Sequence, residues 1–287
     1  MTSKKNLKTF HFLEYLKRNF QGDQSAPFFL ASHENYQQAG IDFPFRSFCY
    51  GIGLTYSGSC VCKIGSNEYQ IQANSLITIG PGIVSQWIRN IDATSDTIFF
   101  TEELFKTTLK TSFLSSLSFF SHGGDHVITI ADEYYKKIRS LFQTLKELKN
   151  DPDVVAGIIY ALLMLVTKAH NTKLHNNHNS LSTNEKIARD FNVLVSKSFL
   201  DNKGVQFYAE HMHITPKHLS EVLVMETGKS AKRIIEEVIL LEAKSLLKQT
   251  SMSVKEICGW LGYADTSYFN KAFKKREGVT PLAYRKK

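Results

Sequence analysis

The sequence predicts an α+β chain. Its N-terminal part reads as a small antiparallel β-barrel, or a sandwich, with helices, and its C-terminal part as an all-α domain of two short-helix pairs joined by a long helix. Three observations carry this reading. Residues 47–91 are short apolar or alternating runs broken by glycine and asparagine. Past residue 182 every apolar pattern has helical spacing with start and stop signals. One construction, two short helices around a tight turn, recurs there about 50 residues later. A length of 287 residues suits two domains, and 43% apolar residues with 20 Phe and 12 Tyr exclude wholesale disorder.

In chain order, Leu7, Phe10, Leu13, Leu16 and Phe20 predict a short amphipathic helix over 6–20. The strand-like runs are Phe48–Tyr56, Cys60–Ile64, Glu68–Ile71, Leu76–Ile79 and Ile83–Ile88, with turn signals at Ser57-Gly58, Gly65-Ser66-Asn67, Ala73-Asn74 and Gly80-Pro81-Gly82. Helical patterning resumes near Glu102, runs from Asp132 to Lys149, and returns in the apolar stretch Val154–Lys168 after Asp151-Pro152. The polar, Asn-rich segment 170–180 reads as a linker, so the expected division is 1–169, linker 170–181, and 182–287. Its His170, His175 and His178 have no Cys or carboxylate cluster beside them and are read as surface residues, not metal ligands.

The four cysteines form no disulfide framework, and Cys60 and Cys62 lack a second close pair for zinc. The longest apolar run, Val154–Val166, has 13 residues, below the ~18–20 needed to cross a bilayer. No targeting segment is legible, so a soluble, cytoplasmic protein with no membrane partner is expected.

The helix pairs carry the chemistry. A helix-turn-helix braces one helix on the DNA backbone and places the next in the major groove. Val205–Met212 is the first brace and His213-Ile214 the turn; Thr215 caps a helix with Pro216 at its first position. Leu219, Val222 and Leu223 face the core, leaving Lys217, His218, Ser220 and Glu221 outward. In the second unit Ser253–Leu261 is the brace, Gly262-Tyr263-Ala264 the turn, and a helix starts near Asp265. Between them Ala231–Lys248 reads as one helix, ~27 Å long, fit to space two reading helices about one DNA turn (~34 Å) apart.

Charge agrees with that placement. Residues 1–184 hold 17 basic and 15 acidic side chains, residues 185–287 hold 18 and 12. Most of the excess sits in 265–287, where Lys271, Lys274, Lys275, Arg276, Arg285, Lys286 and Lys287 face only Asp265 and Glu277. Tyr268, Phe269, Phe273 and Tyr284 interleave with them, so the segment folds and is more than a solubilising tail. A polyanion partner, double-stranded DNA, is expected.

Residues 204–287 resemble the DNA-binding domain of the AraC/XylS family of bacterial transcription regulators. The resemblance rests on Ile214-Thr215-Pro216-Lys217-His218-Leu219-Ser220, on Glu226-Thr227-Gly228-Lys229-Ser230 and on Leu241-Glu242-Ala243-Lys244-Ser245-Leu246-Leu247. It continues through Val254-Lys255-Glu256-Ile257, the run from Leu261-Gly262-Tyr263 to Phe273-Lys274-Lys275, and Gly278-Val279-Thr280-Pro281-Leu282-Ala283-Tyr284-Arg285. More weakly, the rest is similar to the family's cupin-like barrel followed by dimerising helices. The resemblance implies sequence-specific DNA binding by a homodimer, with RNA polymerase a partner if the protein is an activator. Its reading positions carry over onto Lys217, Ser220 and Glu221, and onto Thr266, Ser267, Asn270 and Lys271; Thr215, His218, Tyr268, Lys274 and Lys275 complete the expected DNA-contacting set. Glu221 and Val224 stand where relatives often carry basic residues, and Leu223 where Phe is common. Glu221 either pairs with Lys217 or accepts from a cytosine amino group.

For the N-terminal part three readings stand. An effector-binding receptor is favoured; a part that only dimerises or binds protein is the alternative. Tyr50, Tyr56, Tyr69 and Trp87 either line a pocket or pack. A cupin enzyme is disfavoured, because residues 47–91 hold no histidine for a metal. The His122-Gly123-Gly124-Asp125-His126 cluster reads as a loop, and Cys49, Cys60 and Cys62 as small buried hydrophobes. No cofactor or catalysis is expected, and the helix Val154–Val166 is the candidate dimer contact.

Overall fold

The computed structural model describes residues 25–32, 43–65, 67–88, 92–105, 112–121, 124–176 and 182–286, with isolated positions nearer the N-terminus. The helix expected over 6–20 lies largely outside the described residues. Contacts divide the chain into two compact units: His11–Asp42 with Ser47–Ser182, and Thr183–Lys287, which draws in Phe43–Arg46.

The first unit contains strands β1 (Phe28–Ser32), β2 (Tyr50–Ser57), β3 (Ser59–Ile64), β4 (Asn67–Gln72), β5 (Ser75–Ile79), β6 (Val84–Ile88), β7 (Thr94–Phe100) and β8 (Val127–Thr129). One antiparallel sheet has the order β1-β7-β2-β5-β8; in a second, β3 lies between β4 and β6. Of the barrel or sandwich that the strand spacing predicts, the unit forms two sheets and not a closed barrel, and the burial pattern gives the reason. Along β5, Leu76 joins a core with Phe142 and Leu145 of helix α2 (Asp132–Leu148) and with Ile159, Leu163 and Val166 of helix α3 (Pro152–Asn176). Its neighbours Ile77 and Ile79 point the other way, into a second cluster with Cys62, Ile64, Ile71 and Ile83. Helices therefore cover one face of the first sheet, and no strand closure is needed to bury it.

The five expected strands form within one or two residues of their predicted bounds. Strands β1, β7 and β8 were not legible. In β7 a buried Asp96 interrupts the apolar pattern; the Tyr56 hydroxyl donates to it at 2.6 Å, and the Lys146 ammonium lies 2.5 Å away. Near Glu102 the chain makes a 3-10 turn, Glu102–Phe105, and then a short helix α1 (Ser112–Ser116).

Helix α3 overturns part of the expected linker. Residues 170–176 continue it, and 177–181 lie outside the described residues. Nothing in 170–176 breaks a helix already under way, since neither Pro nor Gly occurs there. His170 is buried, its Nε2 3.0 Å from the Asp125 carbonyl oxygen and its ring against Phe119, so it is a packed residue and not a surface one. His126 is likewise buried, with Nδ1 3.0 Å from the Thr78 carbonyl oxygen. Pro152–Thr172 is long and apolar enough to cross a membrane by length and composition, longer than the 13-residue run suggested. Its Val155, Ile159, Leu162, Leu163 and Val166 are buried in the core of the first unit.

Tyr50, Tyr56, Tyr69 and Trp87 of this unit are used in packing. Tyr50 stacks on Phe100 at 5.6 Å and its hydroxyl donates to Glu102 at 2.8 Å. Tyr69 and Trp87 pack on the second cluster. Burial pushes the Cys49 thiol up to about 11, so this sulfur stays protonated at neutral pH.

The second unit is helical: α4 (Thr183–Ser198), α5 (Val205–His211), α6 (Pro216–Thr227), α7 (Ala231–Gln249), α8 (Val254–Trp260), α9 (Thr266–Glu277) and α10 (Pro281–Lys286). Its core gathers Phe191, Tyr208, Leu219, Leu223, Ile235, Ile239, Leu247, Ile257, Phe269 and Phe273. The Arg46 guanidinium pairs with the buried Glu242 carboxylate on α7, and the Arg46 amide donates to Gln249 Oε1 at 3.1 Å.

A candidate nucleic-acid interface

Two helix pairs are built alike. In the first, α5 ends when Met212 N–H donates to the Tyr208 carbonyl at 3.0 Å, and Ile214 N–H then reaches back to the Ala209 carbonyl at 3.0 Å. In the second, Leu261 bonds Ile257 at 2.9 Å and Tyr263 bonds Cys258 at 3.0 Å, the same pattern 49 residues on. Each turn needs one left-handed residue, and the structure puts His213 (φ 55°) and Gly262 (φ 66°) there. His213 carries a Cβ in that region, so the first turn holds more backbone strain than the second.

Both second helices start on a side-chain cap and stop on a glycine. Thr215 Oγ1 accepts from the His218 amide at 3.1 Å with Pro216 following, and the Asp265 carboxylate accepts from the Ser267 amide at 2.7 Å. Gly228 and Gly278 end α6 and α9 in left-handed conformation, φ 70° and 74°. The connector α7 is capped by Ser230, and α8 by the reciprocal Ser253–Glu256 box. Its 19 residues make α7 about 28 Å long.

The first reading helix, α6, buries Leu219, Val222 and Leu223 and exposes Lys217, His218 and Glu221, with Ser220 half-buried. Thr215 is committed to the cap. The Lys217 ammonium and Glu221 carboxylate are 3.9 Å apart, both solvated, so this helix offers little net charge. The second, α9, buries Phe269 and Phe273 and exposes Ser267, Tyr268, Lys271, Lys274 and Lys275 on one arc; Thr266 and Asn270 are half-buried at its edge.

The basic residues around α9 divide into two sets. Arg276 pairs with Glu236, and Lys244 with Glu277 at 3.1 Å. Arg285 donates from Nε to the Leu247 carbonyl at 3.1 Å and from its terminal nitrogen to the Met252 carbonyl. Tyr284 packs edge-on to Phe273 at 5.6 Å, with the Lys244 and Lys248 ammonium groups over its ring. The basic stretch read from sequence is thus partly structural: Arg276 and Arg285 hold the fold, while Lys271, Lys274 and Lys275 point outward. No signal in a single sequence separates these arginines from those lysines.

Between the pairs, Glu237 on α7 is held by Lys229 at 2.7 Å and Arg233 at 3.1 Å. Burial pushes its carboxyl pKa up, but the hydrogen bonds and charges of Lys229 and Arg233 outweigh that and leave it lowered. A carboxyl whose folded pKa is depressed stabilises the fold above its unfolded pKa and loses that contribution as pH falls through the folded value. Glu237→Gln should therefore cost up to about 1 kcal/mol at pH 7, discounted for partial exposure. Urea denaturation should show that difference vanishing in acid below the ordinary carboxylate range, and a pH-independent cost would refute the ion-pair account.

Residues 208–287 match the family model described as a helix-turn-helix domain. The second unit contains a helix-turn-helix domain. Over 251 residues the chain is 22% identical to the arabinose operon regulatory protein of Escherichia coli K12, covering 85% of this chain and 83% of that protein. It is 26% identical over 160 residues to the uncharacterized HTH-type transcriptional regulator YtdP of Bacillus subtilis, 56% of this chain but 20% of YtdP. The chain thus spans about a fifth of the length of that relative. Among solved structures, ToxT from Vibrio cholerae O395 aligns over 90% of this chain and 97% of its own, at 15% identity and a TM-score of 0.40. Within this helix-turn-helix domain, the two capped helices α6 and α9 stand where a helix-turn-helix places its second helix.

Proposed function

We propose that this protein is a sequence-specific, DNA-binding transcription regulator whose helices α6 and α9 read successive major grooves on one face of the duplex. The duplicated helix pair, capped alike and spaced by the 19-residue α7, carries this reading. DNA contacts are assigned to Lys217, His218, Ser220 and Glu221 on α6, with Thr215 capping it, and to Thr266, Ser267, Tyr268, Asn270, Lys271, Lys274 and Lys275 on α9. Hydroxyl-radical footprinting of the full chain on a selected duplex should show two protected patches about 10 bp apart on one face. A single patch would overturn the two-reader arrangement.

Lys271 stands on the exposed arc of α9, so Lys271→Ala should cost about 1–3 kcal/mol on the cognate duplex if it reads a base. Equal losses on cognate and random DNA, measured by fluorescence anisotropy, would reassign it to a phosphate.

The first unit is proposed to bind a small-molecule effector and to hold the chain as a homodimer, working in the cytoplasm, with RNA polymerase as partner if it activates. A groove of about 620 Å³ between α2 and α3, floored by Leu141, Met164 and Leu165 and rimmed by Lys136, Lys137 and Lys168, is a place for a small molecule. Val154 and Tyr160, 38% and 40% exposed on α3, support a dimer contact there. A second reading, with a first unit that only dimerises, is favoured by the use of Tyr50 and Tyr56 in internal hydrogen bonds. A thermal-shift screen of small metabolites separates the two readings, and a monomer in sedimentation at micromolar concentration would overturn the dimer.

A further inference from the structure

The outward face of α6 has a chemistry that α9 lacks. Lys217, Glu221 and Val224 stand at i, i+4 and i+7, one exposed stripe along the helix. Val224 is 51% exposed and belongs neither to the buried core of the unit nor to its partly buried margin. The adjacent Met225 is more exposed, but its sulfur accepts from the Asn184 side-chain amide at 3.6 Å. On this stripe Lys217 and Glu221 carry opposite charges, and the apolar group beside them is the Val224 isopropyl.

Seven residues of helix put Val224 about 10 Å along the axis from Lys217, some three base-pair steps. A helix lying in the major groove carries such a stripe past successive base edges. There the one apolar group presented by a base is the 5-methyl of thymine. A β-branched side chain in a helix holds essentially one rotamer, so Val224 presents its methyls with little ordering cost. We infer that Val224 specifies thymine at one position of the first half-site by contact with its 5-methyl group. This rests on the reading of α6 as a major-groove helix.

The test removes that methyl and nothing else. The full chain first selects duplexes from a random-sequence library, and each thymine of the selected site is then replaced singly by deoxyuridine. One replacement should weaken wild-type binding about three- to fivefold, the worth of one buried methyl. Val224→Ala, checked to unfold at the wild-type temperature, should show a similar loss on the thymine duplex and no further loss on the deoxyuridine one. Wild-type binding indifferent to every replacement overturns the contact and leaves the stripe as a protein-docking face. A deoxyuridine penalty undiminished in Val224→Ala also overturns it. Failure of the library to enrich any sequence overturns the regulator reading itself, and the contact with it.

Discussion

Phe273→Ala should destabilise the second unit by about 3–5 kcal/mol, the usual cost of emptying a buried phenylalanine site. Phe273 is 1% exposed and stands between Phe269, 5.9 Å away, and Tyr284, 5.6 Å away; Phe269 in turn meets Tyr263 at 5.4 Å. This row of rings fixes α9 to the turn before it and to α10 after it, so the cavity opens beneath the arc that bears Lys271, Lys274 and Lys275. Urea denaturation followed by far-ultraviolet circular dichroism should show the midpoint falling with the slope unchanged. Phe273→Leu, which keeps most of the volume, should lose much less. A cost below about 1 kcal/mol for the alanine variant would mean that α9 is held by something other than this row.

Most of that row is legible in the sequence. Phe269 and Phe273 four apart, followed by Tyr284, carry helical periodicity, and Thr215 and Ser253 with Gly228 and Gly278 mark helix ends, because local rules alone decide them. The first unit was harder to read. Its five predicted strands carry alternating runs bounded by turns, whereas β7 joins the sheet through pairing with β1 and β2, a long-range event that leaves no local pattern. Asp96 within β7 disguises it further, since the partners that make its burial tolerable, Tyr56 and Lys146, lie 40 and 50 positions away. The expected barrel resolved into two sheets for a related reason: which element covers a sheet face is a tertiary choice.

At the candidate interface, the outward positions of α6 and α9 follow from periodicity, and most of the predicted set stands exposed. What periodicity hides is which charges are already engaged. Arg276 and Lys275 are neighbours of like charge, yet one reaches Glu236 and the other reaches solvent, and only the packing of α7 against the second pair distinguishes them. The same blindness applies to the C-terminal segment. Pro281 is buried and Arg285 binds two backbone carbonyls, so deleting everything after Gly278 would remove core contacts along with charge. Point substitutions on α9 are the cleaner probe.

Lys274→Gln with Lys275→Gln should accordingly lower the slope of log affinity against log salt by about 1.8, since each phosphate contact contributes roughly 0.9 on duplex DNA. Between roughly 50 and 200 mM salt, the double variant should lose about twelvefold less affinity than the wild type, having started weaker. Arg276→Gln removes one positive charge, half that of the lysine pair, from the next position, but that charge is paired with Glu236, so its slope should stay near that of the wild type. The three proteins compared on one duplex separate two accounts of the basic stretch. If the net charge of +8 acts as a diffuse field, all substitutions change the slope in proportion to charge removed. If binding is a set of discrete contacts from the outward arc of α9, the lysine pair changes it and the arginine does not. A slope unaltered in the lysine variant, with its circular dichroism intact, would take α9 away from the phosphate backbone and leave the grip on DNA to the remaining outward cations of the unit.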